Sequence, residues 1–132
     1  MLAAADDDDR ILRNDVYDLP RLPRWSSGRI VLLGDAAHAA TPGVGQGAAE
    51  ALEDAVVLSG LLAQGADVER ALNDYEARRR PRVELVQKMS RRADKAAQLA
   101  SPLGCRLRNA VIRRLPERVQ RRQLEALVRH GL

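Results

Sequence analysis

Phenylalanine is absent from these 132 residues, and Trp25, Tyr17 and Tyr75 are the only aromatic side chains. Ala, Leu and Val must fill the interior, which suits closely packed helices around a thin core. Cys105 is the single cysteine, so an internal disulfide is excluded and a reducing, cytoplasmic setting is expected. No run is apolar enough for a membrane helix: the longest, Ala55–Ala63, falls far short of the ~20 residues needed. The opening MLAAADDDD lacks the basic start and apolar core of a signal peptide. The two histidines, His38 and His130, lie far apart, and Asp6–Asp9 is a self-repelling run that reads as a frayed terminus. No metal site is expected.

What is present is globular in character. A hydrophobic fraction of 45% against 30% charged residues argues against wholesale disorder. Charge is divided unevenly, with 5 Arg against 10 acids in residues 1–64 and 17 Lys/Arg against 8 acids in 65–132. A basic half of this kind suits either a nucleic acid or an acidic protein surface. Without interleaved aromatics to stack on bases, Arg78–Arg82 and the arginines of 113–122 read as helix faces, solvated or paired within the molecule, and nucleic-acid binding is not expected.

Along the chain, Ile11–Tyr17 alternates imperfectly and predicts a short strand, and LPRLP at Leu19–Pro23 enforces an extended connection. Ile30–Leu33 is a continuous apolar run closed by Gly34, the pattern of a strand buried on both faces. A glycine-rich loop, Thr41–Gly47, then leads into a helix over about 47–62. Its apolar stripe of Ala48, Ala51, Leu52, Ala55, Val56, Ser59 and Leu62 predicts the buried face. Gly65 suits a left-handed helix end and Asp67 a cap for the next helix. That helix carries Val68, Ala71, Leu72 and Tyr75 on one face, with a kink or break expected at Pro81. Ser101-Pro102 and Pro116 begin a third and a fourth helix.

Gly43-x-Gly45-x-x-Ala48 satisfies the dinucleotide fingerprint in form only. The fingerprint needs its first glycine at the turn leaving the strand, inside a βαβ unit. Here the strand ends near Gly34 and no second strand follows, which excludes a self-contained Rossmann site. The loop still has chemistry. Glycines permit close backbone approach, and a helix N-terminus offers unpaired N–H groups and partial positive charge. The Gly45–Ala49 backbone therefore suits an anion or a polarised carbonyl, and Asp35, just past the strand, suits hydroxyl groups.

The ordered set Gly34-Asp35-Ala36-Ala37-His38, Pro42, Gly45-Gln46-Gly47 and Glu53-Asp54-Ala55 resembles the C-terminal flavin motif of FAD-dependent aromatic hydroxylases of the p-hydroxybenzoate hydroxylase type. Trp25, Gly28-Arg29 and Tyr75-Glu76…Arg79-Arg80-Pro81 resemble the same family. The resemblance implies that Asp35 binds the ribityl hydroxyls of FAD and that Pro42 lies near the flavin ring and the substrate. It gives Gly45, Gln46, Gly47, Ala48 and Ala49 to the loop and helix start facing the pyrimidine edge of the isoalloxazine. It also implies NAD(P)H as co-substrate, O2 as oxidant and a small aromatic molecule as substrate.

The family's opening strand–GxGxxG–helix and mid-chain Asp-Gly motif do not occur here. A C-terminal piece is therefore expected, whether from a truncated reading frame, a split gene or a cut, inactive alone and with no catalytic residue of its own; a separate N-terminal half is one way it could be completed. The fold class implied is mainly α, one or two short strands and about four helices, forming the C-terminal part of a Rossmann-like, glutathione-reductase-type α/β FAD-binding fold. Residues 1–24 would end a substrate-domain segment, 25–66 form the FAD-contacting strand–loop–helix, and 67–132 the C-terminal helices. The competing expectation is a non-catalytic helical module whose partner covers the apolar faces near Val56 and Val86. His38 reads as a structural histidine, Glu53 and Asp54 as groups facing solvent or holding a neighbouring segment, and Cys105 as a packed small residue.

Overall fold

The structure, a computed structural model, describes residues 14–65 and 67–128. Two minimal strands, β1 (Ser26–Ser27) and β2 (Ile30–Val31), precede a one-turn helix α1 (Asp35–His38) and a 3-10 turn at Pro42–Val44. The helices α2 (Gly47–Ala63), α3 (Val68–Ala97), α4 (Pro102–Arg114) and α5 (Glu117–Val128) follow.

β1 and β2 form an antiparallel hairpin pairing Ser26 with Val31 and Ser27 with Ile30. Gly28, at φ 55°, makes the turn between them. So short a ladder is marginal by itself, and it is tied down by Leu32 N–H donating to the Trp25 carbonyl (2.9 Å) and Trp25 N–H donating to Glu76 (2.9 Å). The strand expected to be buried on both faces over Ile30–Leu33 is thus a two-residue edge, and Ile30 is 73% exposed. Among the described residues no parallel neighbour flanks it, so its apolar side chains lack the layers that would cover them. The strand expected over Ile11–Tyr17 is not formed at 14–17, and its first three residues lie outside the described residues.

The core sits between α2 and α3, where Trp25, Ala37, Leu61, Ala71, Tyr75 and Val83 are buried together. Trp25 is its centre. Its ring lies 5.2 Å from His38 and 5.9 Å from Tyr75, with the Arg80 guanidinium 4.9 Å over its face. Asp67 caps α3 through the Arg70 N–H (3.3 Å), and Gly65 takes φ 69°, both as the sequence predicts.

Pro81 does not break α3. The helix runs continuously through it for 30 residues. The ring sits at an exposed position, while Tyr75, Arg79, Val83, Val86 and Gln87 on either side are buried and anchor both halves of the helix. Val86 is therefore core, not a face awaiting a partner. At the far end, Arg108 donates to the Ala96 carbonyl (2.7 Å) and Ser101 caps α4. Cys105 is half-buried, its thiol directed at the Leu99 carbonyl (3.0 Å).

α2 reverses the predicted orientation. Its charged residues are Glu50, Glu53 and Asp54, and these face inward, with Glu50 and Asp54 buried. Ala48, Leu52, Ala55, Val56, Ser59 and Leu62 face outward, Leu52 at 70% and Val56 at 59% exposure. The periodicity identified two faces correctly and assigned burial to the wrong one. The inward face is set by what α3 presents, which is an arginine.

Candidate functional site

Gly34 builds the first wall of the site. At φ 57° it turns the chain from β2 into α1, and a Cβ there would come 3.1 Å from the Cβ of Ala51. Only glycine allows the β2–α1 turn to press so closely on α2. Asp35 follows as the first residue of α1 and is exposed. The second wall is the 3-10 turn and the start of α2. Gly45 closes that turn at φ 67°, and Gln46 precedes α2 without capping it through a side chain. The N–H groups of Gly47, Ala48 and Ala49 belong to a first helical turn, which has no intrahelical acceptors, at the positive end of the helix dipole.

The two walls meet. Asp35 Oδ1 lies 4.0 Å from the position a Cβ on Gly47 would occupy. A carboxylate and a row of small residues with outward N–H groups thus share one surface. Asp35, Gly45, Gln46, Gly47, Ala48 and Ala49 fall on these two walls. Pro42 is set toward a neighbouring cleft of about 390 Å³, lined also by Asp18, Thr41, Arg91 and Asp94. Gly43, beside it, packs so tightly on α3 that a Cβ would lie 2.8 Å from the Ser90 carbonyl oxygen and 2.6 Å from Asp94 Oδ1.

Beneath the surface lies a buried ionic cluster. Asp54 has no exposed surface; its Oδ2 accepts from the Gly34 N–H (2.8 Å) and from His38 Nε2 (2.7 Å), and its Oδ1 from Arg79 Nε (2.7 Å). Arg79, 4% exposed, spends its other nitrogens on Glu53 (2.6 Å), Glu50 (2.5 Å) and the Glu50 carbonyl (3.2 Å). Arg82 donates to the remaining oxygen of Glu50 (3.1 Å).

Burial pushes the Asp54 carboxyl up, but the bonds from His38, Arg79 and the Gly34 N–H outweigh it and hold it below the usual carboxylate range. Asp54 is therefore ionised, which requires His38 Nε2 to carry the hydrogen it shares. For Arg79, burial lowers the pKa, and the bonds and charges of Asp54 and Glu50 more than reverse it. Burial, with Asp54 adding to it, raises the phenol of Tyr75 far above its ordinary value.

His38 is structural, as the sequence predicts, and Glu53 and Asp54 hold a neighbouring segment. Of the arginine run, Arg79, Arg80 and Arg82 are paired within the molecule, and Arg78 is exposed. Arg79 and Arg82 reach α2, and Arg80 engages Glu76 and the Leu22 carbonyl. Sequence reasoning missed Arg79 as the hub. The signal was available: acids at 50, 53 and 54 have the spacing of one helix face, and α3 supplies a matching arginine run. Among the described residues no group of three or more His, Cys, Asp or Glu is placed to hold a metal, and no helix is long and apolar enough to cross a membrane.

The arrangement has known counterparts. The family model described as an FAD binding domain matches residues 20–90, which take in both walls and the cluster beneath. The chain belongs to the FAD binding domain family. A relative named FAD-dependent urate hydroxylase, from Klebsiella pneumoniae, is 45% identical over 94 residues, covering 70% of this chain and 24% of that protein. The 2-heptyl-3-hydroxy-4(1H)-quinolone synthase of Pseudomonas aeruginosa is 39% identical over 112 residues, 85% of this chain and 29% of its own length. The crystal structure of Klebsiella pneumoniae HpxO complexed with FAD and uric acid superposes with a TM-score of 0.74 at 31% identity, over 86% of this chain and 29% of that one. An HpxO variant complexed with FAD gives 0.80 over 96% of this chain and 34% of that one. The mostly helical fold is thus shared with FAD-binding hydroxylases, and this chain spans about a quarter to a third of their length.

Proposed function

We propose that this chain supplies the ribityl and isoalloxazine side of an FAD site in a flavin-dependent monooxygenase acting on a small, aromatic or similar organic substrate. The observation that carries this reading is Asp35 facing the uncapped start of α2 across a surface lined by Gly and Ala. The residues fit the group. The Asp35 carboxylate accepts hydrogen bonds from sugar-type hydroxyls. The N–H groups of Gly47, Ala48 and Ala49 point where a ring edge that gains negative charge would lie, and fixed dipoles stabilise such charge without reorganising. At Gly45 and Gly47 no side chain stands between backbone and ring. FAD, when bound, supplies the redox chemistry with NAD(P)H and O2; the protein orients it and excludes water. Pro42 and the cleft beside it form the substrate side of this surface.

The rest of the site belongs to a polypeptide carrying the ADP-binding half. The outward face of α2 supports this, since Ala48, Leu52, Ala55, Val56 and Leu62 form an apolar stripe, interrupted by Ser59, that starts beside Gly47. A helix apolar on its outside needs cover.

The test is co-expression of the chain with a GxGxxG-bearing N-terminal half of an FAD-binding hydroxylase, followed by measurement of retained flavin. The chain alone is expected to bind FAD poorly and to oxidise no NAD(P)H, and the pair to retain flavin that Asp35→Ala removes. Stoichiometric flavin on the chain alone would contradict the divided site. Pairing without flavin would favour the helical-module reading instead.

A further inference from the structure

We infer that Arg79 is a positioning residue of this surface, a group that fixes α2 at three points and, through Asp54, holds the Asp35 turn against it. This rests on the FAD reading above for its purpose, though not for its geometry. The two walls come from segments ten residues apart in sequence, and nothing in the short β1–β2 hairpin fixes their spacing.

Arg79 reaches both. Through Nε it holds Asp54, whose other oxygen takes the Gly34 N–H, one residue from Asp35. Through Nη2 it holds both the side chain and the carbonyl of Glu50, one residue from Ala49. Through Nη1 it holds Glu53, so each of its three nitrogens is bonded to a different residue of α2. A planar fork fixes direction as well as distance, which a lysine ammonium on a flexible stem does not. His38, on the other side of Asp54, keeps that carboxylate from turning away.

The arginine touches no position assigned to cofactor contact, so it acts only through Asp54 and Glu50. α3 thereby carries the setting of two walls to which it contributes no residue of its own.

The experiment compares amide hydrogen exchange by NMR in the wild-type chain and in the Arg79→Gln, Arg79→Lys and Leu61→Ala variants. Leu61→Ala weakens the same α2–α3 core without touching the fork. In Arg79→Gln the Gly34 amide should exchange about ten- to a hundredfold faster relative to the Val83 and Val86 amides, the range set by losing a bond to a charged group. The resonances of Gly47–Ala49 should shift as well. Arg79→Lys keeps the charge and should restore neither, and it serves as the reading if Arg79→Gln does not fold. Leu61→Ala should speed Gly34, Val83 and Val86 together.

Gly34 tracking Val83 and Val86 in the arginine variants, or full restoration by lysine, would overturn the inference. A second arm measures retained flavin in the co-expressed pair. Loss in Arg79→Lys with Asp35 intact supports positioning, and unchanged flavin despite a mobilised Gly34 overturns it. A wild-type pair that holds no flavin counts against the FAD reading alone, since the exchange data decide the geometry without it.

Discussion

Asp54→Asn removes one charge and almost no volume, so its effect isolates the ionic cluster from the packing around it. The carboxylate accepts three hydrogen bonds, two at Oδ2 from Gly34 and His38 and one at Oδ1 from Arg79. An asparagine oxygen can replace only one of the two acceptors. If it takes the Oδ2 place, its NH2 faces the Nε–H of Arg79, and two donors confront each other. If it takes the Oδ1 place, the NH2 faces the Gly34 N–H and the His38 Nε2–H, and two bonds are lost. Bonds to charged groups contribute about 1.5–3 kcal/mol each. Leaving the arginine short of a partner where it is 4% exposed puts the expected loss at about 3–5 kcal/mol. Against a total of about 5–15 kcal/mol for a domain of ordinary stability, that is a large fraction.

Urea unfolding followed by far-UV circular dichroism measures it, and the pH dependence supplies an internal check. The folded-state pKa of Asp54 lies below its unfolded value of about 3.9, so its contribution is complete above that value and drains away as pH falls toward the folded pKa. Asparagine does not titrate. The gap between wild type and variant should therefore be constant from neutrality to about pH 5 and narrow below about pH 4. A loss under about 1 kcal/mol, or a gap that widens on acidification, would refute the claim that the cluster is stabilised by the ionised carboxylate.

The glycines of the 3-10 turn separate two physical causes. Gly43→Ala should cost about 1–3 kcal/mol in urea unfolding because its Cβ meets the Ser90 backbone, which cannot swing aside. Gly45→Ala should cost about 1–2 kcal/mol from positive φ alone, since open space surrounds it. Pro81→Ala should raise stability by about 1–3 kcal/mol, because α3 is already continuous there and alanine restores a helical N–H donor. The double change Leu52→Glu with Val56→Glu should move the isolated chain's stability by no more than about 0.5 kcal/mol, both sites being exposed, while abolishing capture of the N-terminal half in co-purification.

Helix positions and ends were legible because their causes are local. Asp67, Gly65, Ser101-Pro102 and Pro116 act within one turn of where they stand, and each marks an element end as expected. The break that the same local rule allows at Pro81 does not occur, since Tyr75, Arg79, Val83 and Val86 are buried on both sides and anchor the helix through it. Ile30–Leu33 failed for a related reason. A strand's burial depends on what lies beside it, and that information is not in its own four residues. The residues proposed to contact FAD stand out in the sequence only as an ordered motif. That Asp35 and Gly47 share a surface follows from Gly34 pressing on Ala51, a long-range contact that local spacing does not encode.

The inside-out character of α2 ties these points together. Burying two carboxylates and partly burying a third is costly, and a cluster of this kind gains little net stability over an apolar core of the same shape. What it gains is a fixed geometry, because every member is satisfied by a directional bond. The helix uses much of its inner face for geometry, keeps Leu61 in the core with Val57 and Leu58 packed against it, and leaves Leu52 and Val56 outside, so a partner covering those two would add stabilisation. Any such partner binds the folded chain and not the unfolded one, and it raises stability by mass action, about 2.7 kcal/mol at a hundred times its dissociation constant. The unfolding midpoint of the chain should therefore climb with the concentration of the N-terminal half and stay flat in the Leu52→Glu, Val56→Glu variant. A midpoint indifferent to that partner in the wild-type chain would mean that the apolar face of α2 is covered by something else.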